Sequence, residues 1–105
     1  MNRLNNILNP ASVALIGASR KEGSLGKMFL EAILRMDYKG DIFPVNPKAD
    51  EINGLKCYPN IHALPFKPSL SVILLPSQLV IESLKELAEF GVKDIIVVSA
   101  GFKEV

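Results

Sequence analysis

One stretch near the start of the chain constrains the fold most. An unbroken apolar run at residues 13–16 stops at Gly17, a loop rich in glycine and serine follows, and a helical pattern begins near Ser24. This order of strand, loop and helix directs backbone N–H groups and the positive end of a helix at whatever lies beyond the strand. Phosphate groups suit such a place, so the stretch predicts a nucleotide-type ligand.

The rest of the chain alternates between strands and helices. An irregular crossover at residues 47–68 interrupts the pattern and contains a short edge strand at 55–58 and a helical turn at 60–64. The alternation predicts one α/β domain over residues 1–105, with a Rossmann-like parallel sheet that is truncated at its C-terminal end. The main predicted elements are strands at residues 13–16, 41–46, 70–75 and 95–98, and helices from about residue 24 to 36 and at 79–90.

Apolar spacing predicts which helix faces are buried. Leu4, Ile7 and Leu8 have helical spacing, so we expect a short helical turn that packs on the domain and stops at Asn9–Pro10. Ser24 is the expected N-cap of the first long helix and Gly91 the expected C-terminal glycine of the second. The predicted inward faces are Leu25, Met28, Phe29, Ala32, Ile33 and Met36 in the first helix, and Val80, Leu84, Leu87 and Ala88 in the second.

Composition limits the class of protein. Twelve basic and eleven acidic residues leave a net charge of +1, which gives no argument for a nucleic-acid or membrane-surface partner. No apolar run approaches the ~20 residues of a membrane span. Cys57 is the single cysteine, which fits a reducing, cytoplasmic location. The chain ends soon after an apolar run, so we expect a fragment of a longer protein, with an open sheet edge that invites an oligomer.

The predicted ligand site is the carboxyl edge of the sheet. The strand ends there carry small residues, hydroxyl groups and cations at positions 17–21, 46–48, 75–77 and 99–101, with no carboxylate at the mouth itself. Ser19 and Glu22 stand where a dinucleotide fingerprint has glycines, and Asn46–Lys48 replaces its ribose-binding acid, which argues against NAD. NADP stays open because Lys48 can meet a 2′-phosphate. The Walker phosphate-binding pattern is absent.

Four segments together resemble a known family. Residues 12–19, 41–48, 52–59 and 98–102 closely resemble the N-terminal CoA-binding domain of NDP-forming acyl-CoA synthetases. These include ADP-forming acetate–CoA ligases and relatives of the succinyl-CoA synthetase alpha subunit, and the domain also occurs in related protein lysine acetyltransferases. The resemblance covers almost the whole chain in the same order.

The resemblance implies coenzyme A as the ligand and assigns contacts residue by residue. The expected contacts are the first loop, Lys48, the loop after the third long strand and the loop near the pantetheine arm. Small residues are expected to line the groove for that arm. No catalytic or metal residue is expected, and His62 matches nothing in the family. The full set of expected cofactor-binding residues is Gly17, Ser19, Arg20, Lys21, Glu22, Gly26, Asn46, Pro47, Lys48, Pro76, Ser77, Val98, Ser99, Ala100 and Gly101.

The function that follows is a CoA-binding part of an ADP-forming acid–CoA ligase. The domain would position the CoA thiol for attack on an acyl phosphate. The ligase and ATP-grasp domains or subunit, with the family's phosphohistidine, would lie elsewhere. The fragment alone is therefore expected not to be catalytic. Three alternatives stay open: a regulatory acyl-CoA domain of a lysine acetyltransferase, a stand-alone CoA-binding protein or redox switch, and an NADP-binding oxidoreductase fragment.

Some candidate residues also have purely structural interpretations. The loop at residues 17–26 can be a tight turn with no role in ligand binding, and Asn46 can cap its own turn. Ser77 and Ser99 can satisfy backbone groups, and Cys57 is expected to be a small apolar filler. If the loop backbone meets the ligand, Gly17→Val is expected to abolish binding by filling that space.

Overall fold

A computed structural model describes residues 9–98. The strands and helices follow the predicted alternation, with an additional two-stranded hairpin in the crossover. The elements are β1 (Ser12–Ile16), α1 (Leu25–Arg35), β2 (Asp41–Val45), β3 (Glu51–Ile52), β4 (Leu55–Lys56), a 3₁₀ turn (Ile61–Ala63), β5 (Leu70–Ile73), α2 (Ser77–Phe90) and β6 (Ile95–Val97).

The main sheet is parallel and has the strand order β2-β1-β5-β6. Leu15 of β1 lies beside Pro44 of β2 on one side and Val72 of β5 on the other. The order reverses at β1, because the chain first moves outward to β2 and then crosses to β5. The predicted Rossmann-like parallel sheet is therefore confirmed, and its switch point lies between β1 and β5.

Strand β1 is buried along its whole length and supplies both faces of the sheet with core residues. Ala14 and Ile16 belong to the core on the α2 side, which includes Val80 and Leu87. Val13 and Leu15 belong to the core on the α1 side. A strand covered by a helix on each face needs apolar residues at every position, which explains the uninterrupted apolar run in the sequence.

Helix α1 begins as predicted, but part of its predicted inward face is wrong. Ser24 is the N-cap and its side chain accepts a hydrogen bond from the Lys27 backbone N–H. Met28 and Met36 are 56% and 74% exposed, whereas Gly26 and Leu30 are buried. The helix is rotated relative to the prediction because its first turn packs closely on the β1 loop, where Gly26 meets the Gly17 carbonyl.

Helix α2 begins at Ser77, two residues before the predicted start, and ends at Gly91, whose φ of 93° confirms the predicted C-terminal glycine. Val80 and Leu87 are buried as predicted and Leu84 is half-buried, but Ala88 is exposed. Ser83 takes the buried position on this face instead.

The crossover contains an antiparallel hairpin, β3–β4, that we did not predict. Its two turn residues, Asn53 and Gly54, have φ values of 51° and 83°. Asn-Gly between two short extended segments is the strongest sequence signal for a two-residue hairpin, so the signal was present in the sequence. The predicted helical turn is confirmed: Asn60 caps it, and its Oδ1 accepts a hydrogen bond from the Ala63 N–H at 3.0 Å.

Strand β2 lies at the edge of the main sheet, where a proline is tolerated. The carbonyl of Pro44 accepts a hydrogen bond from the Tyr58 N–H, and the Asn46 N–H donates to the Tyr58 carbonyl. The missing N–H of Pro44 faces that same outer side, so its absence costs no hydrogen bond to β1. In the predicted edge strand at 55–58, Leu55–Lys56 form β4 of the hairpin, and Tyr58 pairs with Val45 of β2.

Two predictions fall outside the described part of the chain: the N-terminal helical turn and the loop containing Ser99, Ala100 and Gly101. Within residues 9–98, neither helix is long and apolar enough to cross a membrane.

Candidate functional site

A long crevice crosses the carboxyl ends of β1 and β5, at the switch point of the sheet. It consists of a wider groove of about 440 Å³ and a narrower one of about 310 Å³. The two grooves share the lining residues Gly17, Leu74, Leu75 and Pro76, so they lie next to each other. The narrower groove runs to the start of α1, and the wider one runs to the loop after β2. The crevice therefore suits an extended ligand.

Gly17 lines both grooves. Its φ is +100°, and a Cβ atom there would collide with the carbonyl oxygen of Leu74 and lie 2.9 Å from Cδ2 of Leu75. Its N–H donates to the Val45 carbonyl at 3.0 Å. The glycine is thus required by the close approach of the β5 loop. A Gly17→Val variant would break this packing first, so our expectation that it reports on ligand space is corrected.

Gly26 explains the rotation of α1. A Cβ atom at this position would collide with the carbonyl oxygen of Gly17 and lie 3.1 Å from Cα of Ala18. The first turn of α1 therefore rests directly on the β1 loop, as the third glycine of a dinucleotide fingerprint permits in other folds. With Gly26 fixed against the loop, Leu30 is the residue one turn later that enters the core.

The loop between Gly17 and α1 is held by its own serine side chains. Ser19 Oγ accepts from the Lys21 N–H at 3.0 Å, and Ser24 Oγ donates to the Lys21 carbonyl at 2.7 Å. The Ser19 side chain lines the wider groove. The loop is therefore shaped before any ligand arrives.

The three charged candidates of this loop lie at the surface rather than along the crevice wall. Arg20, Lys21 and Glu22 are all exposed, and none of them lines either groove. The Glu22 carboxylate lies 3.7 Å from the Lys27 ammonium, but its side chain is 90% exposed. A contact between these residues and a ligand requires a ligand that extends out of the crevice.

Asn46 connects the loops that follow β1 and β2. Its Nδ2 donates to the Ala18 carbonyl at 2.9 Å, and its Oδ1 accepts from the Lys48 N–H at 2.7 Å. The interpretation of Asn46 as a cap of its own turn is confirmed. The turn places Pro47 and the exposed Lys48 on the wall of the wider groove.

The opposite wall contains residues that the sequence analysis missed. Pro59, Asn60 and Ile61 line the wider groove because Tyr58 pairs with the end of β2 and returns the crossover to the site. Ser83 and Glu86 of α2 line it as well. Glu86 was predicted to face outward, so the groove contains a carboxylate that was not expected there. Glu86 lies three residues after Ser83 on α2 and so shares a helix face with it, and this spacing was the signal available in the sequence.

The start of α2 lies beside the same crevice. Pro76 lines both grooves and is the N-cap of α2, with no side-chain hydrogen bond to the first turn. The Leu79 N–H donates to the Pro76 carbonyl at 2.9 Å. The start of a helix without a side-chain cap favours a negatively charged group, because its first N–H groups point away from the helix. Ser77 is the first helical residue and is half-buried. Val98 is half-buried and donates its N–H to the Ile73 carbonyl at 2.9 Å.

The remaining candidate side chains have packing roles. Cys57 is buried, and its thiol has a raised pKa, chiefly because burial disfavours the thiolate. His62 is exposed, and its ring stacks edge-on against Phe90 with 5.8 Å between the ring centroids. Within residues 9–98, no cluster of histidine, cysteine, aspartate and glutamate is suited to hold a metal ion.

The fold and the crevice define a nucleotide-binding class of Rossmann-like domain, and the comparison with protein families makes this specific. Residues 11–104 match the family described as the CoA binding domain, and the chain belongs to this family. The family resemblance inferred from the four sequence segments is confirmed.

Two curated relatives are named as a CoA ligase and a CoA synthase. The chain is 41% identical over 101 residues to the ADP-forming acetate–CoA ligase II of Archaeoglobus fulgidus, covering 96% of this chain and 15% of that protein. It is 40% identical over 102 residues to a trans-feruloyl-CoA synthase from an unknown prokaryotic organism, covering 97% of this chain and 14% of that protein.

A solved structure shows the same architecture. The dinucleotide-forming acetyl-coenzyme A synthetase 1 of Ca. Korarchaeum cryptofilum, in complex with phosphate and ADP, superposes with a TM-score of 0.89 at 38% identity. The match covers 97% of this chain and 22% of that one. The chain therefore spans about a seventh of the two curated relatives described above and about a fifth of the solved chain.

Proposed function

We propose that this chain binds coenzyme A or acyl-CoA in the crevice between β1 and β5, as the CoA-binding part of an ADP-forming acid–CoA ligase. In the complete reaction, the CoA sulfur attacks the carbonyl carbon of an acyl phosphate. The thiol gives up its proton, the bond between the acyl carbon and the phosphate oxygen breaks, and phosphate leaves with that electron pair. This domain holds and aims the thiol, and the ligase and ATP-grasp parts of the parent protein supply the rest.

The observation that carries the proposal is the shape of the crevice combined with the chemistry along it. Two adjoining grooves extend from the start of α1, past Gly17 and Pro76, to Lys48. Coenzyme A is long, has a slender pantetheine arm, and carries its phosphates near one end. Lys48 on the wider groove supplies a cation for phosphate, and the narrower groove, which includes Gly17, Ser24 and Gly26, has room for a slender arm.

The candidate residues divide into two groups under this proposal. Under the proposal, Lys48 and the N–H groups at the start of α2 bind phosphate oxygens, and the proposal is supported by Lys48, Ser19 and Pro76 all lining the wider groove. Gly17, Gly26 and Asn46 act indirectly because they hold the loops in position. Val98, at the end of the described chain, and the following Ser99, Ala100 and Gly101 stay candidates for the pantetheine arm.

An NADP-binding role is the second candidate, and Lys48 is the observation that favours it. The lysine follows β2, where a 2′-phosphate would lie in a dinucleotide site. Two observations argue against NADP binding: the dinucleotide glycine fingerprint is absent, and ADP-forming ligases are among the relatives.

A thermal-shift titration of the chain with CoA, dephospho-CoA and NADPH tests the proposal. A ligand at 100 times its dissociation constant adds about 2.7 kcal/mol to the free energy of unfolding, which is easily seen in a small domain. We expect a shift with CoA, a smaller shift with dephospho-CoA because the 3′-phosphate is missing, and none with NADPH. A shift with NADPH alone would contradict the proposal and support the oxidoreductase alternative.

A further inference from the structure

Glu86 places a carboxylate in a groove that otherwise suits an anion. Among residues 9–98, it is the one acidic residue that lines either groove, and Lys48 is the one basic residue. Glu86 is half-buried, and its side chain forms no hydrogen bond or ion pair with the described residues. Phosphate binding gives such a carboxylate no role, because like charges repel each other.

The position of Glu86 on α2 separates it from the phosphate-binding candidates. Glu86 follows Ser77, the first residue of the helix, by nine residues, which is about 13.5 Å along the helix axis. Lys48 belongs to the turn after β2, and its ammonium forms no ion pair with Glu86 although both residues line the same groove. The wider groove therefore offers one place for an anion and another for an uncharged hydrogen-bond donor.

The crossover adds an apolar surface to the part of the groove beside α2. The 3₁₀ turn Ile61–Ala63 contacts α2, and Pro59 and Ile61 line the same groove as Glu86. Ile61 is 1% exposed and belongs to one core cluster with Leu87 of α2, so this wall is held firmly. An apolar wall with a single hydrogen-bond acceptor suits a flat aromatic ring that carries a donor group, because the wall covers the ring and the acceptor sets its orientation.

The order of groups in coenzyme A indicates which ring this is. Its adenine belongs to the same nucleotide half as its phosphates, and the 6-amino group is the donor of that half that lies farthest from them. In a Rossmann-like sheet, the ribose of a bound nucleotide lies at the end of the second strand. Here that end is joined to the crossover by the pairing of Val45 with Tyr58. A base that continues outward from this ribose therefore meets the crossover wall.

We infer that Glu86 accepts a hydrogen bond from the 6-amino group of the adenine of CoA, with the base lying against Pro59 and Ile61. The inference rests on the proposed function and adds the residue that selects the base. Adenine presents an amino donor at its 6-position, whereas hypoxanthine and guanine present a carbonyl oxygen, which a carboxylate repels. Glu86 is thus a specificity-determining residue for the nucleotide half of the ligand.

Isothermal titration of the native 105-residue chain tests the inference without a variant. The two ligands are CoA and its hypoxanthine analogue, in which a carbonyl oxygen replaces the 6-amino group. We expect CoA to bind at least about tenfold more tightly, the lower end for a hydrogen bond to a charged group. Equal affinities would overturn the role of Glu86 and leave the proposed function standing. If neither ligand binds, the proposed function fails and the inference fails with it.

A matched pair of variants assigns the selectivity to Glu86. Glu86→Gln has an amide that can accept from adenine or donate to hypoxanthine, so we expect it to bind the two ligands with similar affinity. Glu82→Gln changes the charge equally at an exposed position of the same helix that lines neither groove, and we expect it to keep the preference of the native chain. An unchanged preference for CoA in Glu86→Gln would overturn the inference.

Discussion

The side-chain amide of Asn46 joins the two loops that form the ligand crevice: its Nδ2 donates to the Ala18 carbonyl at 2.9 Å while its Oδ1 accepts from the Lys48 N–H at 2.7 Å. One residue therefore fixes the distance between the β1 loop and the turn that carries Lys48. We expect Asn46→Ala to lower the free energy of unfolding by about 1–3 kcal/mol, since two hydrogen bonds of about 1 kcal/mol are lost. Urea denaturation measures this.

The Asn46→Asp variant separates the two hydrogen bonds. It keeps the acceptor for Lys48 but replaces the donor to Ala18 with a second oxygen, which faces the carbonyl of Ala18. We expect a loss of stability at least as large as that of Asn46→Ala, because two acceptors then oppose each other. A variant as stable as the parent chain would show that the connection between the loops does not matter.

Lys48 is a cation on the wall of the wider groove, so its removal is expected to weaken CoA binding. We predict that Lys48→Ala costs about 1.5–3 kcal/mol of binding free energy, the range for hydrogen bonds to charged groups. Isothermal titration with CoA and dephospho-CoA measures this. The loss is expected to be smaller for dephospho-CoA if the lysine meets the 3′-phosphate.

Lys39→Ala is the matched control for Lys48→Ala. Lys39 is also exposed, and it lies 2.9 Å from Asp37 in the loop between α1 and β2, at the amino end of the sheet. We expect it to leave CoA affinity unchanged. If Lys48→Ala folds and binds CoA as tightly as Lys39→Ala does, Lys48 is not a ligand contact.

Gly17 and Gly23 form a pair that separates backbone strain from a steric collision. Both have positive φ values, +100° and +81°, but a Cβ atom at Gly23 would meet nothing within 4 Å, whereas one at Gly17 would collide with the carbonyl oxygen of Leu74. Alanine at either position incurs about 1 kcal/mol of backbone strain. We expect Gly17→Ala to lose at least about 1 kcal/mol more than Gly23→Ala, as measured by thermal unfolding. Equal losses would show that the β5 loop moves away freely.

Glu31 on α1 gives the chain a pH-dependent contribution to stability. A hydrogen bond from Lys27, whose ammonium lies 3.1 Å away, is the main cause that lowers the pKa of Glu31 below its usual value of 4.5, with a smaller contribution from Asn53. A carboxylate with a lowered native pKa stabilises the folded state above the unfolded pKa. We therefore expect this contribution to be present above about pH 4.5 and to be lost as the pH falls through the native value.

The Glu31→Gln variant tests this dependence. We expect its free energy of unfolding to fall less steeply than that of the parent chain as the pH is lowered below about 4.5. Glu89→Gln, at an exposed position of α2, changes the net charge equally and serves as the control. Identical pH profiles for Glu31→Gln and the parent chain would contradict the prediction.

The alternating pattern of the sequence was enough to predict the fold class and most of the elements. The run at residues 13–16 is apolar at every position because both faces of β1 are covered, and this signal is local. Ser24 and Gly91 marked helix ends correctly because capping depends on the side chain or backbone freedom of one residue. The hairpin at Asn53–Gly54 was also encoded locally and was simply missed.

The sequence by itself determined the parallel α/β alternation, the glycine-rich loop and the family of the chain. Only the tertiary structure decided which residues meet in the crevice. Helix α1 is turned so that Gly26 rests on Gly17 and Met28 faces solvent, and a hydrophobic pattern alone cannot fix that rotation. Asn60 and Glu86 reach the groove because segments far apart in the chain pack there, and the pattern within one segment does not show which other segment it meets.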